Sequence, residues 1–264
     1  MPVITISNID DPRIEAYRNL NSVNRTSPSE TFVVEGRWLV ERLIQSKLPT
    51  ESILLQQQHA DEFLRLTKDS IPIYTLGDDD VNRIVGFKFH RGVLAIGRRP
   101  KNKLLEEMNF ENPATLVVCP EIADPTNLGG IIRSCSAFGT DGLILGHRGT
   151  DPYSRRVVRV SMGSAFSLAI RVSEDLNEDL FRLREEFGFE RIATVLDDKA
   201  ERLQTARRSH RTALLIGSEG DGLSKEIVSL CERKVTLPMK SGTDSLNVAS
   251  AASVFLYHFC SVAK

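Results

Sequence analysis

Apolar residues along this chain come in short runs, and the period of those runs changes from one stretch to the next. Over the first hundred residues, helix-spaced and strand-like runs alternate. Asp11 before Pro12 predicts a helix start, with helical spacing continuing to Asn24. Phe32-Val33-Val34 reads as a strand, Trp38 to Gln45 as a helix and Ile53-Leu54-Leu55 as a second strand. A helix over Ala60 to Thr67, a strand over Ile71 to Leu76, a short helix over Asp79 to Val85 and a strand over Gly92 to Gly97 follow. This is the pattern of a small α/β domain.

Beyond it the strand-like runs become almost continuously apolar. They are Thr115 to Cys119, Gly142 to Leu145, Ile192 to Val195, Ala213 to Ile216 and Lys234 to Leu237. Runs of this kind suit strands covered on both faces, as in a parallel sheet. The clearest helix between them spans Leu176 to Phe187. The basic, proline-bearing stretch Arg98 to Lys103 reads as a boundary. The expected division is therefore a first domain over 1–100, a linker over 101–112 and a second domain over 113–264.

Composition narrows the class. The 264 residues are 41% hydrophobic and 26% charged, which excludes a disordered chain and a small disulfide scaffold. No apolar run approaches the roughly 20 residues that a membrane span needs. The opening stretch has neither a basic nor an apolar leader region, so a cytoplasmic protein without a membrane partner is expected. Cys119, Cys135, Cys231 and Cys260 show no metal-ligand spacing, and no metal is expected; they read as buried thiols. With 34 basic and 35 acidic residues the net charge is −1, so any nucleic-acid contact must come from a local basic face.

Three loops directly follow strands, where ligands of open α/β sheets bind. The first, Glu121 to Ser134, holds Asn127, which suits a helix cap, the pair Gly129-Gly130, which lets a backbone pass close by, and Arg133 on the first turns of an otherwise apolar helix. The second, Gly217-Ser218-Glu219-Gly220-Asp221-Gly222, has three glycines in six residues. Its G-x-x-G-x-G spacing is not the G-x-G-x-x-G of a dinucleotide fold. The third, Leu237 to Ala249, carries Met239, Ser245, Leu246 and Asn247 ahead of an apolar helix expected over Ser245 to Phe259. That helix must be buried in a core or against a partner.

Together the stretches DPTNLGGIIRS, IGSEGDGL and LPMKSGTDSLNVASA resemble the SpoU (TrmH-type) RNA 2′-O-ribose methyltransferases of the SPOUT superfamily. Asp151 to Phe166 is similar to the family's connection between motifs. Phe32 to Glu41 resembles part of its L30e-like substrate-binding domain. The resemblance implies an α/β protein: a parallel-sheet C-terminal domain with a deep trefoil knot, preceded by a smaller L30e-like α/β domain. It implies S-adenosylmethionine as methyl donor, a homodimer, and structured RNA as substrate, with ribosomal RNA favoured over transfer RNA. The alternatives are a transfer-RNA 2′-O-methyltransferase and a non-catalytic RNA-binding or ribosome-assembly protein that keeps the fold. Carried over position by position, Asn127, Arg133, Glu219, Ser245 and Asn247 are the expected catalytic residues. Gly217, Leu237, Met239 and Leu246 are expected to hold the donor. Arg155, Arg156, Arg159, Arg25 and Arg37 are the expected RNA contacts.

Overall fold

The computed structural model describes residues 3–18, 20, 30–67, 70–85, 92–240 and 245–262. The chain divides into two packed units. One holds residues 1–100 and 153–167, the other 101–152 and 168–264.

In the first unit the strands are β1 (Val3–Thr5), β2 (Thr31–Glu35), β3 (Thr50–Gln56), β4 (Ile73–Leu76) and β5 (Val93–Arg98). They form a mixed sheet in the order β1-β4-β3-β5-β2. β4 pairs in parallel with β1 and β3, while β5 runs antiparallel to β3 and β2. Helices α1 (Arg37–Gln45), α2 (Ala60–Thr67) and α3 (Asp78–Val85) connect them. α1 buries Leu39, Val40 and Leu43, the i, i+1, i+4 stripe of a helix seated on a sheet. The helix expected over Pro12 to Asn24 is a 3-10 helix over Pro12–Tyr17, with Asp11 as its cap. It stops because Arg18 turns extended, its guanidinium donating back to the carbonyls of Ile9 (2.8 Å) and Asp11 (3.0 Å). The remainder of that expected helix, bar residue 20, lies outside the described residues.

The second unit is built on a seven-stranded sheet. Its strands are β6 (Ala114–Cys119), β7 (Gly142–Gly146), β8 (Ile170–Ser173), β9 (Glu190–Val195), β10 (Glu201–Arg202), β11 (Arg211–Leu215) and β12 (Arg233–Thr236). The order is β10-β12-β9-β11-β6-β7-β8, and every pair is parallel. The apolar runs of the sequence are its central strands, and β6 is buried at every residue. The sheet is served by α4 (Pro125–Phe138), α6 (Leu176–Glu185), α7 (Lys225–Ser229) and α8 (Val248–Tyr257). Between β7 and β8 the chain forms α5 (Arg155–Val160) within the first unit.

The segment 101–112, expected as a linker, packs into the second unit. Leu105 and Met108 are buried in the core with Leu116, Leu180 and Leu183. Phe110 meets Phe187 and Phe189 edge-on at 5.4 and 4.9 Å. The segment 153–167 falls within the first unit instead, where Tyr153 and Phe166 pack on Phe32 with ring centroids 5.3 and 5.7 Å apart. All four cysteines are free thiols, Cys119 and Cys135 fully buried. Burial pushes the Cys135 thiol up to about 12 and the Cys231 thiol up to about 11, so both stay protonated and inert at neutral pH.

Candidate active site

The seven-stranded sheet reverses its winding between β6 and β11. From β6 the chain moves outward through β7 to β8; β11, on the other side of β6, neighbours β9. Loops leaving the carboxyl ends of two such neighbouring strands diverge and leave a crevice. Here those loops are 120–124 and 216–224.

The first of them ends at Asp124, which caps α4. Its Oδ1 accepts from the backbone of Thr126 (2.5 Å) and Asn127 (3.2 Å), with Pro125 at the first helical position. The cap is thus Asp124 rather than Asn127. The reason is legible in Asp124-Pro125, since proline pre-sets the first helical φ and has no N–H to satisfy. Asn127 then stands inside the first turn with its side chain available. Its Nδ2 donates to Glu219 Oε1 at 2.5 Å, and its Oδ1 accepts from Asn247 Nδ2 at 2.8 Å. Asn247 in turn caps α8, its Oδ1 accepting from Ala249 N (3.0 Å) and Ser250 N (3.3 Å). One hydrogen-bonded chain, Asn247–Asn127–Glu219, therefore ties the three sequence-distant loops together. Because Asn247 is the cap, α8 begins at Val248 and not at Ser245.

The glycine-rich loop folds on itself, with Ser218 and Gly222 exchanging backbone hydrogen bonds of 3.1 and 3.2 Å. A Cβ on Gly217 would sit 2.2 Å from the carbonyl carbon of Gly222 and 2.4 Å from Leu223 N, so only glycine permits the fold-back. The pair Gly129-Gly130 has a related role. A Cβ on Gly130 would approach the Cβ of Ala249 to 2.8 Å, so Gly130 lets α8 lie close on α4 rather than admitting a ligand. Ser134 and Ser253 join the same two helices, Oγ to Oγ at 2.7 Å.

Beside this node is a cavity of about 430 Å3, within the range of ligand pockets. Gly217, Leu237, Met239 and Leu246 all line it, as do Glu219 and Ser245. Its apolar wall includes Leu196, Val248 and Phe255. The contribution of Thr194, Val195 and Leu196 was missed in the sequence. The available signal was their place at the carboxyl end of a parallel strand, the same position that singled out the other three loops.

Arg133 lies in the third turn of α4, later than the first turns expected, because the helix begins at Pro125. Its side chain is exposed, has no ion-pair or hydrogen-bond partner among the described residues, and does not line the cavity. The described RNA-contact candidates fall on α1 and α5 of the first unit. Arg37 is bound to Glu41 (3.0 Å) and Glu62 (2.5 Å). Arg155 is only 18% exposed, with Nη1 3.8 Å from Glu35 Oε2; desolvation lowers its pKa, with Glu35 opposing. Arg156 and Arg159 are exposed on α5. Arg25, and residues 241–244 of the third loop, lie outside the described residues. No cluster of His, Cys, Asp and Glu suited to a metal, and no helix long and apolar enough to cross a membrane, occurs among the described residues.

Residues 114–257 match the model of the SpoU rRNA methylase family. A tRNA/rRNA methyltransferase of Mycobacterium bovis, itself uncharacterized, is 34% identical over 94% of this chain and 88% of its own. A 23S rRNA (guanosine(2553)-2′-O)-methyltransferase of Bacillus subtilis is 25% identical over 96% of this chain and 98% of its own. The AdoMet-bound rRNA methyltransferase from Sinorhizobium meliloti superposes with a TM-score of 0.83 at 25% identity, covering 97% of each chain.

Proposed function

We propose, from the premise that this chain belongs to the SpoU rRNA methylase family, that it methylates a ribose 2′-hydroxyl of ribosomal RNA with S-adenosylmethionine as donor. The observation that carries this reading is the Asn247–Asn127–Glu219 chain beside a cavity of nucleoside size.

The cavity residues suit the donor. Leu196, Leu237, Leu246, Val248 and Phe255 offer apolar walls to an adenine ring, and Glu219 and Ser245 offer an acid and a hydroxyl to the polar remainder. When bound, that donor supplies a methyl on a cationic sulfur, which the 2′-oxygen takes as its own proton leaves. The protein's task is alignment and charge. Asn127 fixes the glycine-rich loop to the start of α8, so the cavity wall is rigid before substrate arrives. Arg133 presents a permanent cation to the 2′-oxygen or its neighbouring phosphate; a guanidinium works there as a charge rather than as a base.

Arg133 does not line the cavity of its own chain, and exposed apolar groups lie on the two packed helices α4 and α8. Ala137 is exposed one turn further on, and on the packed α8 Val254 and Tyr257 are 40% and 56% exposed. A second copy covering this face would complete each site, which supports a homodimer. The deep trefoil knot and the L30e-like character of the first unit belong to the same reading, supported by the superposition on the Sinorhizobium meliloti enzyme. So does a cytoplasmic location. Replacing Arg133 with alanine tests the assignment. Methyl transfer should fall at least about 100-fold, the scale of one lost charge-stabilising group, with donor affinity kept. Transfer at the wild-type rate would remove Arg133 from the mechanism.

A further inference from the structure

Trp38 is the chain's single tryptophan. At 70% exposure it is the most exposed large apolar side chain among the described residues. Its neighbours on α1 behave as a helix on a sheet should, Leu39, Val40 and Leu43 all being at most 4% exposed. The indole instead faces water, and it is held there. The Arg37 guanidinium carbon stands 5.8 Å from the ring centroid, and Arg37 is itself pinned by Glu41 and Glu62 at 3.0 and 2.5 Å. A fixed cation beside an aromatic face orients the ring and leaves most of it open.

Two further cations belong to the same unit and are joined to each other through the backbone of Met162. Arg42, one turn along α1 on the same side, is exposed, and its Nη1 donates to the carbonyl of Met162. Met162 N in turn donates to the carbonyl of Arg159 at 3.2 Å. Neither Arg42 nor Arg159 is paired with a carboxylate among the described residues. An open, pre-oriented ring flanked by unneutralised arginines is the combination that holds single-stranded nucleic acid: the ring stacks a base, and the cations take phosphates.

We infer that Trp38 is a stacking platform for an unpaired RNA base, with Arg42 and Arg159 on the adjoining phosphates. The inference rests on the reading that the substrate is RNA. It implies that the RNA bound by the first unit carries an unpaired loop or bulge and is not a continuous duplex.

The lone tryptophan makes the test direct. The full-length protein is titrated with an RNA hairpin carrying a seven-nucleotide unpaired loop (a length of roughly the 4–16 nucleotides that such sites take,) and with a fully paired duplex of equal length. The hairpin should quench the emission saturably and the duplex should not. Read by anisotropy of end-labelled hairpin, which does not depend on the indole, Trp38→Ala should weaken binding about 5- to 150-fold, the range for one stacked base, while Trp38→Phe keeps most of it. Arg42→Ala should lower the salt slope of binding by about 0.7, one phosphate's worth on a single strand. With total ribosomal RNA, Trp38→Ala should raise KM and leave the melting temperature unchanged. Equal quenching by both RNAs, or wild-type affinity and KM in Trp38→Ala, would overturn the platform and return the indole to a protein-binding surface. If the hairpin quenches Trp38 but the wild type methylates no RNA, the proposed activity fails and the platform stands.

Discussion

Asn127 is the residue on which the site converges, since among the described residues it alone bonds to both of the other loops. Asn127→Ala should cost about 1–3 kcal/mol at the site, because its bond to a carboxylate is charge-assisted and the Glu219 and Asn247 groups lose a shared partner. Calorimetry of donor binding should show a loss of roughly 5- to 150-fold on the same scale. Unchanged affinity would mean the cavity wall does not depend on this link. The residue types at the three loops were legible from the sequence, yet their pairing was not. Asn127 suited a cap when read alone, and only Pro125 at the first helical position moves the cap to Asp124. The carboxylate partners of Arg37 and Arg155 were harder to read for a related reason. Glu41 lies one helical turn from Arg37 and was readable from spacing, whereas Glu62 and Glu35 became neighbours only on folding.

At the scale of elements, the glycine-rich turn makes a contrasting pair of predictions. Gly217→Ala places a methyl against the backbone of Gly222 and Leu223, which cannot swing away as a side chain could. Gly220→Ala meets nothing within 4 Å. The first should abolish donor binding and lower the melting temperature by several degrees, on the order of 2–4 °C per kcal/mol for a chain of this size. The second should leave both intact. Comparable losses in the two variants would contradict the fold-back. Strands and helices with a full period were readable: α2 falls on the expected residues, and β6, β7, β9, β11 and β12 all grow from the expected apolar runs. The strands that went unread are β1, β8 and β10, and each lies at a sheet edge. An edge strand is paired on one side and half open to water, so Val3–Thr5, Ile170–Ser173 and Glu201–Arg202 carry no continuous apolar signal.

For the whole molecule, chain order and packing part company at 153–167, which lies between β7 and β8 in sequence but packs within the first unit. No hydrophobic pattern announces that choice, because α5 is amphipathic and would fit either unit. The Arg155–Glu35 pair helps fix it, with side chains only 18% and 8% exposed. Glu35→Ala removes a carboxylate from beside a partly buried guanidinium and should cost about 1–3 kcal/mol of stability. Urea unfolding should show it as a lower midpoint; an unchanged midpoint would mean that the segment's other contacts, among them Phe32 with Tyr153 and Phe166, hold it without the pair. The reading of the whole as an RNA methyltransferase is tested most directly by transfer of labelled methyl from S-adenosylmethionine to ribosomal RNA from an unmodified source, alongside transfer RNA. Label in ribosomal RNA at an alkali-resistant linkage, dependent on Arg133, is the predicted result. Label on a base, label in transfer RNA alone, or no transfer by a protein that binds the donor would contradict it.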